Sequence, residues 1–159
     1  KLRSGEKIML DDTDRRLLRL LQDDPARGVG DLAEHAGLSV AQAQRRLDKL
    51  KDTGVIRGTR AVIDWRAMGW TVEVSLRVTL DKTQQNAFDE LLAAARKVPE
   101  VIEIQTFLGK VDVRLYVIAR DMKDYQRIYR DHILTLPHIA DIEALMHVAR
   151  IKAAEVLPL

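Results

Sequence analysis

Apolar residues recur at helical spacing through the first third of the chain and at a period of two through much of the rest. Leu17, Leu18 and Leu21 line one side of a first helix that starts near Asp11 or Asp12, where acidic groups suit a helix N-terminus. Asp24-Pro25 ends it, because the residue before a proline is pushed out of the α region. Leu32, Ala33 and Ala36 mark a second helix over residues 30–36. Ala43, Leu47 and Leu50 recur at i, i+4 and i+7 and mark a third over residues 39–52. Gly37 is expected at positive φ where the second helix stops. Ser39 is expected as the N-cap of the third, its hydroxyl accepting from a free N–H of the first turn, and Thr53-Gly54 as its close. After Gly54 the period changes, and residues 55–64 read as an extended wing with polar residues interleaved. Residues 65–70 read as a hinge-like connector that Trp65 and Trp70 pack.

The second half alternates strands and helices. Residues 72–80 alternate apolar and polar side chains, as a half-buried strand does. Residues 84–97 predict a helix with Phe88, Leu91, Leu92 and Ala95 on one face. Residues 101–107 and 111–119 predict two strands around Leu108-Gly109-Lys110, a short connection expected to hold Gly109 at positive φ. A helix over 122–136, using Tyr125, Ile128, Tyr129, Ile133 and Leu136, and a strand over 139–148 follow, before an apolar tail at 156–159. The order β-α-β-β-α-β predicts a ferredoxin-like (ACT-like) α/β sandwich, a four-stranded antiparallel sheet with both helices on one face. The class is therefore α+β, with a winged helix-turn-helix domain over 9–64, a hinge linker over 65–70 and a second, sandwich domain over 71–159. The second sheet face is expected to carry apolar groups, and such a surface predicts a dimer at least.

Charge sharpens the first half more than the second. Residues 39–66 hold seven basic side chains (Arg45, Arg46, Lys49, Lys51, Arg57, Arg60, Arg66) against Asp48, Asp52 and Asp64, whereas the chain from Thr71 onward is close to neutral. A basic patch confined to one region is the footprint of polyanion binding; its alternative is a solvated helix face. The chain has no cysteine, which excludes disulfides and thiolate metal sites and fits a reducing cytoplasm. Residues 1–7 are too polar for a secretory h-region, and no apolar run reaches membrane-spanning length. His35, His132, His138 and His147 lack metal-ligand spacing, and no nucleophile–base pairing or phosphate loop points to an enzyme.

The third helix carries Gln42, Arg45, Arg46 and Lys49 opposite its buried stripe, the arrangement of a helix laid in a DNA major groove. The candidate DNA contacts are Ser39, Val40, Ala41, Gln42, Arg45, Arg46, Lys49, Arg57 and Arg60. Val40, Ala41, Gln42 and Arg45 are expected at base edges, where Gln reads adenine and Arg reads guanine. Arg46, Lys49, Arg57 and Arg60 are expected at phosphates, which set register without carrying sequence information. Two other readings use the same residues: a weakly specific architectural DNA-binding protein, or a small-molecule-binding module that acts on a protein partner.

Several motifs resemble one known family. Leu10-Asp-Asp-Thr-Asp14, Leu32-Ala33, Gly37-Leu38-Ser39, Arg46-Leu47, Gly54-Val55-Ile56 and Gly58 are similar to the DNA-binding half of the Lrp/AsnC (leucine-responsive, feast/famine) transcription regulators. Val98-Pro99-Glu100-Val101, Gly109-Lys-Val-Asp112 and Leu157-Pro158-Leu159 resemble its regulatory half. The resemblance implies a homodimer assembled through the second domains and often built into an octamer, partly palindromic double-stranded operator DNA, and a small effector, commonly an amino acid. No cofactor beyond that effector is implied. It places the effector near the Gly-x-x-Asp hairpin, so Gly109 and Asp112 are the candidate effector contacts, with the Asp112 carboxylate pairing an α-ammonium group. Leu108 stands where the family often has a hydroxyl and Val113 where an aromatic often follows, which removes a polar and a stacking partner.

Overall fold

Three apolar stripes become three helices, α1 (Asp12–Asp23), α2 (Val29–Ala36) and α3 (Val40–Asp52), in the computed structural model. It describes residues 8–152 and 156–159, so the polar segment 1–7 lies outside the described residues. Leu17, Leu32, Ala36 and Leu47 form a small core, with Leu20, Leu21, Val29, Leu38 and Ile56 packed against it. Gly37 sits at φ 68° and ends α2, its N–H donating back to Glu34 O. Asp11 caps α1 and Ser39 caps α3, each in a reciprocal capping box that satisfies two orphan N–H groups. Gly54 follows α3 at φ 75°, a conformation that carries no steric penalty without a Cβ.

Residues 55–64, expected as a wing, form no strand. A ladder needs a neighbour, and none of the described residues supplies one. Residues 65–70, expected as a hinge, are an internally bonded turn: Met68 and Trp70 N–H donate to Trp65 O, and Gly69 N–H to Arg66 O.

The second unit is built on β1 (Val72–Leu80), α4 (Ala87–Ala95), β2 (Val101–Thr106), β3 (Val113–Ala119), α5 (Met122–Ile128) and β4 (Ile139–Met146). The sheet order is β2-β3-β1-β4, antiparallel throughout, the arrangement expected of β-α-β-β-α-β. Val74, Leu76 and Val78 of β1 and Val113, Leu115 and Val117 of β3 face Leu91, Ala95, Ile128 and Ile133. α4 is shorter than its apolar pattern. Thr83 N–H donates to Asp81 Oδ1 and Ala87 N–H to Gln84 O, so residues 81–86 close as turns before the helix begins. Its buried stripe is Ala87, Leu91 and Ala95, and Phe88, expected in the core, is exposed beside it. The helix after α5 widens to a π turn, Tyr129–Ile133, where Leu134 N–H reaches Tyr129 O.

Two further expectations are corrected. Gly109 does not take positive φ. The β2–β3 connection runs over residues 107–112, closed by Phe107 N–H to Asp112 O at 2.9 Å, and this longer loop needs no two-residue turn geometry. The sheet face away from the helices is also more polar than expected. Register places Glu73, Ser75, Arg77 and Thr79 of β1 on that face with Arg114 and Tyr116 of β3 and Glu143 of β4, and the apolar groups expected there are Ile118, opposite Glu73, and Leu145, opposite Ser75. The chain divides into two compact units, one running to Val62 and including the C-terminal residues, the other Ile63–Lys152. In the first, Arg19 donates to Leu159 O, and Gln22 exchanges hydrogen bonds with the backbone of Leu157. Among the described residues, no helix is long and apolar enough to cross a membrane.

Candidate nucleic-acid interface and effector site

The capping box that starts α3 also determines what its first turn offers outward. Ser39 Oγ accepts Gln42 N–H at 3.2 Å, and Gln42 Oε1 accepts Ser39 N–H at 3.0 Å. Val40, Ala41 and Gln42 are exposed there, with the Gln42 amide nitrogen left for a partner. One turn on, Arg45 is exposed, and Lys49 follows on the same side. Gln44 donates to Asp48 at 2.8 Å and occupies one oxygen of that carboxylate. Among the described residues, Arg45, Lys49 and Arg57 make no ion pair. Arg60 is exposed on the segment after α3.

Arg46 differs from its neighbour. Its Nη1 donates to Asp11 and Asp14, both at 2.7 Å, and ties α3 to the N-terminus of α1. The Asp11 carboxyl is held below its usual pKa, first by the Asp14 N–H and then by this guanidinium.

Asp112 lies at the foot of the 107–112 connection and is nearly buried. Oδ2 accepts Leu80 N–H at 2.9 Å, and Oδ1 meets the Lys82 ammonium at 2.9 Å. These two contacts, the backbone one foremost, lower its pKa. Gly109 is open above the same connection: a Cβ built on it meets nothing within 4 Å. It lines a concavity of about 510 Å³ together with Arg77, Gln105, Phe107, Lys110 and Arg114. Sequence reasoning did not reach Arg77 or Arg114. The signal was there in the alternation of each strand, but only the register sets the two opposite each other.

A second charged cluster, also missed, lies on the same sheet face. Glu73 is buried, and Arg66 donates to its Oε1 through Nε at 2.8 Å and Nη2 at 2.6 Å. Tyr116 Oη donates to Oε2, and Arg150 donates to Oε2 at 3.0 Å and to Tyr116 Oη. Trp65 and Tyr116 both lie under the Arg150 guanidinium, at 5.4 and 5.6 Å. Burial alone would raise the Glu73 pKa; the Tyr116 and Arg66 hydrogen bonds and the two guanidinium charges outweigh it and hold the value at about 2. Burial, then the Glu73 carboxylate, pushes Tyr116 up to about 12.

Residues 10–57 match a family model described as a winged helix-turn-helix DNA-binding domain, and residues 73–157 match the Lrp/AsnC ligand binding domain. The chain belongs to the Lrp/AsnC family. This Lrp/AsnC protein is 33% identical to the proline dehydrogenase transcriptional activator of Rhodobacter capsulatus, over 83% of this chain and 86% of that one. It is 29% identical to the glutamate uptake regulatory protein of Zymomonas mobilis, over 94% and 91% of the two chains. A solved structure of a transcriptional regulator from Neisseria meningitidis in complex with L-Met superposes with a TM-score of 0.87 at 27% identity, covering 94% of this chain and 97% of that one. Like these relatives, the Lrp/AsnC chain is a transcriptional regulator with a DNA-binding domain and a ligand-binding domain, and not an enzyme.

Proposed function

We propose that this chain reads a partly palindromic operator as a homodimer, in the cytoplasm, and tunes that binding with an amino acid or related small effector. The observation that carries the DNA half is the outward face of α3. Arg45 and Lys49 are exposed there and make no ion pair among the described residues, beside a first turn that leaves the Gln42 amide nitrogen available. A bare guanidinium over the N-terminal half of a recognition helix is suited to the O6 and N7 of guanine. Ser39, Val40 and Ala41 approach the same groove, and Lys49, Arg57 and Arg60 meet phosphates. Arg46 contributes to this surface while bridging to Asp11 and Asp14. The dimer assembles through the ligand-binding halves, with an octamer as a further step. Two-fold symmetry would then set the recognition helices about one DNA turn, or a multiple of it, apart.

The effector half rests on Gly109 and Asp112. The Lys82 ammonium shows that Asp112 Oδ1 accepts a cation, and Lys82 is 68% exposed, so that pair is weak enough for an effector's α-ammonium to replace it. The relatives that carry proline and glutamate in their names, and the neighbour holding L-Met, support an amino acid as the class.

A gel shift over a salt series with competitor DNA tests the DNA half. Preference that survives competitor supports the regulator, uniform binding the architectural reading, and no binding the protein-partner reading. Calorimetric titration with a panel of amino acids, on the native chain and Asp112→Asn, tests the effector half; a native chain that binds none of them removes it.

A further inference from the structure

The buried stripe Ala43, Leu47 and Leu50 fixes which side chains of α3 point straight away from its core. At about 100° per residue, Ala41, Arg45, Asp48 and Asp52 lie nearest the opposite side, with Gln44 flanking Arg45 and Asp48. Gln44, Arg45 and Asp48 are all exposed. Ala41, Gln44, Arg45 and Asp48 therefore stand at i, i+3, i+4 and i+7. With that spacing one helix face follows successive base edges along a major groove.

An acid at that position works against its surroundings. Asp is unfavourable in a helix interior, and a carboxylate facing DNA repels the phosphates of every sequence alike. Ion pairing does not explain it. Arg45 is three residues away and Lys51 three residues on, yet Asp48 makes no ion pair among the described residues. Its Oδ1 accepts instead from a neutral donor, Gln44 Nε2, at 2.8 Å. An exposed i, i+4 pair of this kind adds little to helix stability. Its effect is to orient the carboxylate. Oδ2 and Gln44 Oε1 are left as acceptors beside the donors of Arg45.

We infer that Asp48, held by Gln44, is a specificity determinant of the α3 face that accepts the N4 amino hydrogen of a cytosine, in the base pair adjoining the guanine read by Arg45. This deepens the DNA reading proposed above and rests on it. Cytosine is the base that fits, because its major-groove edge offers the N4 donor alone. Adenine sets its N7 acceptor beside the amino group, and guanine and thymine present acceptors where a carboxylate needs a donor. A wrong base therefore leaves the carboxylate against like partial charge as well as without a partner, and the acid excludes as much as it selects. Gln44 acts through Asp48 and is a positioning residue.

The test is selection of bound sequences from a randomised double-stranded DNA pool by the full chain, then fluorescence anisotropy on the selected operator and its single-base variants. The native chain is expected to prefer cytosine at one position by about tenfold or more. Asp48→Ala is expected to erase that preference, while binding to unselected DNA holds or tightens because a charge that repels phosphate is gone. Asp48→Asn is expected to move the preference to adenine, whose N6 and N7 an amide matches. Gln44→Ala should keep cytosine as the preferred base with a smaller margin. Asp52→Asn removes an exposed acid one turn further along α3 and should leave the preference as it is. If Asp48→Ala keeps the cytosine preference and tightens binding to every sequence alike, Asp48 is only a solvated charge; this inference falls and the regulator reading stands. An equal loss of preference in Asp52→Asn, or a marked fall in the Tm of Asp48→Ala, would overturn it as well. If the native chain selects no sequence at all, both fall.

Discussion

One sheet face carries two pairs of arginines used in opposite ways. Arg66 and Arg150 converge on the Glu73 carboxylate, buried and further bonded by Tyr116. Arg77 and Arg114 oppose each other with no carboxylate in common. The first pair pays its desolvation through a shared counter-charge and so specifies a unique local geometry. Each arginine of the second pair has its own exposed carboxylate beside it, Glu143 at Arg77 and Glu103 at Arg114. α3 repeats the contrast at neighbouring positions: Arg46 is bridged to Asp11 and Asp14, and Arg45 makes no ion pair among the described residues. The lesson is that a cation's partner, more than its exposure, separates scaffold from reader. Arg66 is more exposed than Arg114, yet it is the one committed to a buried acid.

The largest expected effect lies at Glu73. Its folded pKa of about 2 lies below the usual 4.5, so its stabilisation is complete above about pH 4.5 and is lost as pH falls toward 2. The shift corresponds to about 3 kcal/mol. Denaturant titrations over this pH range should show that much more acid-dependent loss in the native chain than in Glu73→Gln. Parallel pH profiles would break the contrast by making the Glu73 knot no more than a solvated cluster.

At α3, Arg45→Ala is expected to cost about 2 kcal/mol in operator affinity, roughly thirtyfold, and to relax preference at one base pair. Fluorescence anisotropy against a selected operator and its single-base variants measures both. An unchanged preference would move Arg45 from base to phosphate. Arg46→Ala should act on the fold instead. It removes a charge-assisted bridge to a buried Asp14, lowers helix-turn-helix stability by about 1 kcal/mol and weakens binding to all sequences alike. If the salt slope of binding also falls by about one, Arg46 turns from the carboxylates to a phosphate in the complex. The smallest effect is at Lys49. Lys49→Ala should weaken all sequences by less than tenfold and reduce the salt slope by about one, with no change in melting.

How far these roles could be read along the chain depends on the distance over which each is set. Gly37, Ser39 and Gly54 take the conformations their positions in the pattern demanded, because caps and turn glycines act within a few residues. The stripe Ala43, Leu47 and Leu50 placed the outward face of α3 for the same reason. Phe88 misled because the buried stripe runs i, i+4, i+8 through the smaller Ala87, Leu91 and Ala95, which leaves Phe88 at its edge. Gly109 misled because the loop is closed by a Phe107–Asp112 bond that no turn motif announces. The pairings of Arg46 with Asp11 and of Glu73 with Arg66, Tyr116 and Arg150 join residues whose spacing follows no period.

The sequence by itself determined two regions of different kind, the three-helix reader with its basic third helix and the β-α-β-β-α-β half, because periodicity and capping are local consequences of backbone geometry. Tertiary structure alone decided which arginines are spent and which are kept. Strand register set Arg77 against Arg114, and the folding of the 65–70 turn and the segment after β4 around Glu73 gave Arg66 and Arg150 their shared acid. The physical reason is that a side chain's period names its face, whereas its electrostatic partner is chosen by elements that meet only when the chain has closed.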